Sequence, residues 1–285
     1  MMNLNDFEHL ECVHQDWHMQ GFSKSEDHMY WSFTNSLVKT SLNSTVICQK
    51  RITGVHLGDI DYHDGKVYAS YLGLPLPGHE WGDWASFGIY VFDAENLELI
   101  EKLELDECME MKKVARTEND TLGFRGIDGV AIAPAPEDGV NRLYIACATW
   151  PNEKYRNNLI LRFDMEGNFE KRYLVPTGNT MLGIQNLDYD AENREFWFTT
   201  YSASEPYQTK ETLFCVPLSD PTKVSRSYRF STPCGIECLG KAGFFASIQF
   251  GKNGNRGGIA YRVAEDFFRN ECSSDKALFG KIAGD

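Results

Sequence analysis

Three features of the sequence predict an all-β chain closed into a ring. Five segments lie over one another: His18-Met19-Gln20-Gly21-Phe22, His56-Leu57-Gly58-Asp59-Ile60, Gly126-Ile127-Asp128-Gly129-Val130, Gly183-Ile184-Gln185-Asn186-Leu187 and Gly235-Ile236-Glu237-Cys238-Leu239. A turn rich in Asp, Asn or Gly follows each copy, and an apolar run heavy in Phe, Tyr and β-branched residues follows the turn. The copies start at 18, 56, 126, 183 and 235. Strand-only repeats of roughly 40–50 residues mark propeller blades, because one blade cannot bury both of its faces alone. The expectation is a single five-bladed β-propeller domain over residues 1–285, built of four-stranded antiparallel blades. These fall near 18–52, 56–105, 126–176, 183–231 and 235–272 plus 7–13.

The elements follow in order within each blade. The turns Ser25-Glu26-Asp27, His63-Asp64-Gly65, Glu137-Asp138-Gly139, Glu192-Asn193 and Lys241-Ala242-Gly243 hold residues that tolerate tight hairpins. Second strands at 29–33, 67–71, 143–147, 196–200 and 244–248 are nearly unbroken apolar runs, as suits strands covered on both faces. Third strands fall at 37–40, 88–93, 159–164, 213–216 and 259–263. Fourth strands at 99–105 and 169–175 alternate charged with apolar residues, the pattern of an edge with one face in water. The fifth blade has no such strand after Val263, where 265–270 reads as a short helix or turn. The N-terminal segment 7–13 is expected to fill that place and close the ring. The widest spacing, between His56 and Gly126, contains the polar stretch from Asp106 to Phe124, read as a long loop.

Composition narrows the function. The net charge of −13, from 41 acidic and 28 basic residues, disfavours nucleic acid or an anionic membrane as the main partner. It leaves room for neutral or cationic ligands and for divalent metals, and the partner expected is a small-molecule or carbohydrate ligand. Eight cysteines show no Cys-x-x-Cys spacing, and several sit inside strand patterns as small buried residues do. No apolar run reaches the ~18 residues needed to span a bilayer. The acidic start lacks a signal-peptide layout, so a cytoplasmic setting is expected.

Side chains alternate along a strand, so first and third motif positions share a face. His18, Gln20, His56, Asp128, Gln185 and Glu237 are therefore expected at one channel mouth, joined by Asp59, Asn186 and Cys238 from fourth positions. Imidazoles and carboxylates on one axis can bind a divalent metal or move protons. The plainer alternative is a wet channel with solvated polar residues. Loops on the same face carry Trp81, Trp84, Trp150 and Tyr207, suited to stacking on sugar rings. Trp81 and Trp84 have the alternative of only folding their own loop. Arg125 is placed to meet an anionic substrate group or to pair with Asp128. The Asp59-to-Gly65 stretch lacks the closing Glu of a calcium loop and reads as strand and hairpin.

The Gly-Ile openings and the Asp-Gly-x-x-Tyr turn resemble the broad β-propeller superfamily that includes gluconolactonase-like, strictosidine-synthase-like and NHL-repeat proteins. That resemblance implies a calcium or other divalent ion on the axis, with Asp128, Gln185, Asn186 and Glu237 as ligands. The leading expectation is a hydrolase or lyase acting on a sugar or sugar acid. In it His18, His56, Asp128 and Glu237 are catalytic, and His18, His56, Asp128, Gln185 and Glu237 are candidate ligands for Ca, Mn or Zn. Gln20, Asp59, Trp81, Trp84, Arg125, Trp150, Gln185, Asn186 and Tyr207 would hold the substrate. The alternative from another class is a non-catalytic ligand-binding or protein-interaction propeller using the same face.

Overall fold

A computed structural model of the chain contains five four-stranded antiparallel sheets. It describes residues 8–14, 17–115, 123–149, 157–178, 180, 182–201, 211–228, 230, 232, 234–252, 255–264 and 267. Strand β1 (His9–His14) precedes the first blade, β2 (Met19–Lys24), β3 (His28–Phe33), β4 (Ser36–Ser41) and β5 (Val46–Arg51). The second blade is β6 (Val55–His63), β7 (Lys66–Gly73), β8 (Phe87–Asp93) and β9 (Leu99–Glu104), followed by helix α1 (Asp106–Val114). The third is β10 (Phe124–Pro134), β11 (Asn141–Thr149), β12 (Asn158–Phe163) and β13 (Phe169–Val175). The fourth is β14 (Asp188–Asp190), β15 (Glu195–Tyr201), β16 (Glu211–Pro217) and β17 (Arg226–Tyr228). The fifth has β18 (Ile236–Cys238), β19 (Phe244–Lys252) and β20 (Asn255–Val263). Its outer strand is β1, which runs antiparallel to β20 from His9 opposite Tyr261 to His14 opposite Arg256. The expected closure of the ring by the N-terminal strand is what the fold shows.

Hairpin chemistry sets the turns. Asp64 and Gly65 both take positive φ, 48° and 73°, the paired left-handed conformation that matches strand twist in a two-residue hairpin. The apolar faces meet between blades. Five buried clusters fill the five junctions, for example Tyr30, Leu37, Leu57 and Ile60 between the first and second blades. Between the third and fourth lie Ala131, Tyr144, Ile160, Ile184, Phe196 and Phe214. Such clusters form only when neighbouring sheets stack, which is why the blades stabilise one another.

Two expectations need correction. The stretch after Asp106 is not simply a loop: Asp106–Val114 is helical, with Asp106 and Glu107 in its first turn and Lys112 and Lys113 in its last. That charge order suits the helix dipole. Cys108 and Met111 on its inner face pack into the junction of the second and third blades. The segment 265–270 lies almost wholly outside the described residues.

The second correction concerns the fifth repeat. The ladder pairs Ser23 with Tyr30, Asp61 with Tyr68, Ala131 with Tyr144, Asp188 with Trp197 and Glu237 with Phe245. These are equivalent rungs, each with an aromatic on the second strand. Glu237 is thus the counterpart of Asp188 and Asp61, not of Gln185 and Asp128. The fifth motif is displaced by three residues from the register its Gly-Ile opening suggests. Hairpins of unequal length hide the slip in the sequence.

Candidate active site

Two residues before those pairs on each inner strand, the strands approach so closely that the channel has a waist. A Cβ on Gly21 would stand 2.2 Å from Asp59 Oδ1, and one on Gly129 would stand 2.7 Å from the Asn186 carbonyl carbon. The backbone N–H of Leu187 donates to Asp59 Oδ2 at 2.9 Å, and Asn186 Nδ2 donates to the Thr232 carbonyl at 3.1 Å. Every blade takes part, since a Cβ on Gly235 would meet Phe22 Cδ1 at 2.6 Å. The waist separates an upper cup, where the inner strands begin, from a lower cup, where they end.

His18, Gln20 and His56 come together in the upper cup, as their alternation requires. Gln20 Nε2 is 3.0 Å from His18 Nε2, 3.4 Å from His56 Nε2 and 3.0 Å from Thr34 Oγ1. His18 Nδ1 lies 3.0 Å from the Met19 carbonyl, so Nδ1 carries the proton and Nε2 the lone pair. An amide nitrogen has only two hydrogens to give. Gln20 therefore cannot serve Thr34 and both imidazoles at once, and one ring nitrogen is left open to a ligand. Burial lowers the His18 pKa, and the positive charge of Arg256 lowers it further. Burial, with help from His18, brings His56 down to about 4, and its Nδ1 is buried without a hydrogen-bond partner. Both rings are uncharged at neutral pH.

The loop between β7 and β8 roofs this pair. The Trp84 ring centroid is 5.7 Å from that of His56, and the Trp81 centroid is 6.2 Å from it. The two indoles meet edge to face at 5.0 Å. Trp84 is buried, whereas Trp81 is 71% exposed and offers a bare aromatic surface. Backbone bonds between Gly73 and Ser86, and from Leu74 N–H to the Gly54 carbonyl, close the loop's base. Lys112 of α1 clamps it from the side through Asp83 Oδ1 at 3.0 Å and the Trp84 carbonyl. The helix absent from the sequence reading therefore positions the two tryptophans.

Asp128 stands at the floor of this cup. Gly58 has no side chain, and a Cβ there would be 2.5 Å from Asp128 Oδ1. That oxygen is buried with no partner, and burial holds the Asp128 carboxyl well above the usual range, opposed only by the Asp59 amide. Arg125 precedes Gly126, whose Cα faces the Trp84 indole with 3.5 Å from the Cβ position to Nε1. Gln185 spends its Nε2 on the Leu182 carbonyl at 2.8 Å. Asn186 is fully buried and gives both amide hydrogens to Thr199 Oγ1 and the Thr232 carbonyl. Asp59 is likewise sealed in the waist, its pKa raised by burial and by Asp128 and Asp188. Asn186 and Asp59 thus bind the blades to one another rather than face the cup. Trp150 and Tyr207 lie outside the described residues. The sequence reading omitted Thr34, which anchors Gln20.

Glu237 belongs to the lower cup. There a side chain on four of the five inner strands accepts the backbone N–H of the next blade: Tyr62 to Ser23 Oγ at 2.9 Å, Ile132 to Asp61 Oδ2 at 2.6 Å, Cys238 to Asp188 Oδ2, and Lys24 to Glu237 Oε2 at 3.1 Å. Ala131 interrupts the series at the third blade. All three acids are deep yet retain some exposure to the channel. Burial and mutual repulsion raise the carboxyls of Asp61 and Glu237 well above the usual range, and Asp188 is pushed up to about 6. The five expected metal ligands are therefore split by the waist: His18, His56, Asp128 and Gln185 are above it and Glu237 is below. Among the described residues no three His, Cys, Asp or Glu side chains are grouped to hold a metal ion. The donors expected around one divalent ion do not fit one.

No protein-family model matches the chain, and no curated protein matches it. Solved structures do resemble it. A Bacteroides ovatus protein described as xyloglucan PUL GH43B superposes with a TM-score of 0.52 at 10% identity, covering 88% of this chain and 54% of that one. An exo-β-1,3-galactanase from Phanerochaete chrysosporium, with galactose, gives 0.51 at 10% identity, covering 87% and 60%. At such identity the likeness establishes the architecture alone. The chain is a five-bladed β-propeller, as the repeat of its motifs predicts.

Proposed function

We propose that the chain is an enzyme acting on a carbohydrate, a hydrolase or lyase, with its site in the upper cup. One observation carries this reading: the Gln20 amide is shared between two uncharged imidazoles directly beneath the Trp81–Trp84 pair. An exposed indole face beside convergent hydrogen-bonding groups suits a sugar ring, which presents C–H bonds on its face and hydroxyls at its edge. His18, with its lone pair on Nε2, is the proton acceptor. Asp128, whose carboxyl burial holds well above the usual range, is the proton donor. Gln20 and His56 orient hydroxyls, and Trp81 supplies stacking surface. The galactanase named above is a precedent for carbohydrate chemistry on such a scaffold, an analogy of architecture only.

The test is a panel of oligosaccharides titrated while tryptophan fluorescence is followed, with product analysis of every binder. Binding that Trp81→Ala weakens, and turnover that His18→Ala abolishes, is the expected outcome. Binding without turnover in the unaltered protein would support the alternative of a ligand sensor, which the low basicity of His56 favours. A panel in which no saccharide perturbs the fluorescence would remove the reading altogether.

A further inference from the structure

Resting on that reading of the upper cup, we propose that Thr34 is the positioning residue of the site, holding His18, Gln20 and His56 in one arrangement. The strand ladder brings it there. Met19 pairs with Phe33 across β2 and β3, and Phe33 pairs with Ser36 across a two-residue turn. Thr34, in that turn, therefore stands opposite His18 at the upper end of the first blade. The equivalent connection of the second blade is the long roofing loop, whereas here the tight turn itself meets the cup.

Four hydrogen bonds converge on this residue. Its backbone N–H donates to the His18 carbonyl at 3.2 Å, and its carbonyl accepts the N–H of Leu57, next to His56, at 2.9 Å. The main chain of Thr34 thus ties together the two histidine-bearing segments of adjacent blades. From the other side, Gln249 Oε1 of β19 accepts the Met19 N–H at 3.0 Å, so His18 is held between its own blade and the fifth. The Thr34 hydroxyl makes the remaining two bonds. It donates to the His18 carbonyl at 3.5 Å, and its oxygen accepts from Gln20 Nε2 at 3.0 Å.

Counting hydrogens fixes the direction of the Gln20 amide. A hydroxyl has one hydrogen, and here it lies on the His18 carbonyl. Towards Gln20 the oxygen can then only accept, so the amide must present its nitrogen. One N–H is committed to Thr34. A single hydrogen is left for two imidazoles, with Nε2 of Gln20 3.0 Å from His18 Nε2 and 3.4 Å from His56 Nε2. When that hydrogen turns to His56, the lone pair of His18 is released to take a hydroxyl proton from a bound sugar. Without the hydroxyl at position 34 the amide can turn end for end, and its oxygen would then face the same lone pair and repel it. Thr34 acts on the substrate through Gln20 and His18, where a small loss of alignment is costly in rate.

The experiment uses the full chain with Thr34→Val, which keeps the shape and the backbone bonds, and Thr34→Ser, which keeps the hydroxyl. In proton–nitrogen spectra the Gln20 side-chain amide, identified by its absence in Gln20→Leu, is expected to give two separated proton signals that exchange slowly with solvent. Thr34→Val should merge or lose them with the melting midpoint almost unchanged, and Thr34→Ser should keep them. For a saccharide that the parent binds, Thr34→Val should weaken binding roughly three- to tenfold, about what one hydrogen bond contributes, and should lower kcat more than it raises KM. Thr34→Ser should restore most of both. Signals and binding unaltered in Thr34→Val would overturn the proposal. Equal losses in Thr34→Ser would overturn it too, since they would assign the effect to packing of the turn. If Thr34→Val does not fold, Thr34→Ala is read by the same two measurements with the same outcomes. Failure of every saccharide to bind would remove the carbohydrate reading, and the amide signals would still decide the role of Thr34.

Discussion

The backbone N–H of Leu187 donates to the carboxylate of Asp59 at 2.9 Å, joining the fourth blade to the second across the axis. The bond is possible because glycines beside it leave no side chain in the way. It makes the waist a cross-linked floor under the upper cup and separates two sets of ionisable groups. Among the described inner-strand residues, His56 and Asp128 lie above it, with His18 just ahead of β2, and Asp61, Asp188 and Glu237 lie below.

The waist should be intolerant of the smallest side chain. At Gly129 the neighbours of an added Cβ are backbone atoms of Asn186 and Leu187, at 2.7 and 2.8 Å, which cannot rotate away. Gly129→Ala is expected to cost roughly 2–4 kcal/mol, in the range of overpacking with forced backbone movement. Urea unfolding of the variant measures it, and a change within a few tenths of a kcal/mol would show that the inner strands are not in contact.

The two tryptophans of the β7–β8 loop should separate stability from binding. Trp84 is buried between His56 and the third blade, so Trp84→Ala should destabilise by about 3–5 kcal/mol. Trp81 is 71% exposed, so Trp81→Ala should leave the unfolding midpoint nearly unchanged while weakening saccharide binding about tenfold, or ~1.4 kcal/mol. Equal losses of stability would mean that Trp81 serves only to fold its loop.

Stability should respond to pH in opposite senses at the two cups. The His56 pKa falls from 6.5 to about 4 on folding, so its contribution is complete above pH 6.5 and is lost as pH drops towards 4. Asp188 rises from 3.8 to about 6, so its contribution is complete below 3.8 and is lost as pH climbs through 6. Each slope is at most about 1.4 kcal/mol per pH unit. Asp188→Asn keeps an acceptor for the Cys238 amide but cannot ionise, so it should stabilise the protein more at pH 8 than at pH 4. Thermal melts across that range report the difference, and a constant offset between variant and parent would contradict it.

Ring closure by β1 should be essential. Leu10 and Cys12 are buried against the first and fifth blades, and β1 covers the whole edge of β20. Removing residues 1–14 uncovers that edge and opens the apolar junction beneath it. The truncated chain is expected to lose several kcal/mol of stability, as large-to-small core changes do, and to self-associate through the bare strand. Light scattering and chemical denaturation test both effects, and a monomer of unchanged midpoint would show that β1 is dispensable.

The architecture was legible because its causes are local. Two-residue periodicity, Asp-Gly turns and aromatic second strands each constrain a few neighbouring residues, and their repetition at five places implies a ring. The missing outer strand of the last blade pointed in the same way to the N-terminus. His18, Gln20 and His56 were identifiable because they sit two residues apart on one strand or at matching positions on adjacent blades.

Helix α1 escaped notice because its inner face offers only Cys108 and Met111 as buried residues within a run of charges. Glu237 was misplaced because a Gly-Ile opening recurs three residues out of step, and only ladder pairing shows which rung it occupies. What the amino-acid sequence determined by itself was the number of blades, the way they close and the polar residues lining the axis. Tertiary structure alone decided on which side of the waist each of those residues falls. That height is set by how closely neighbouring inner strands approach, a contact between distant segments that no local pattern encodes.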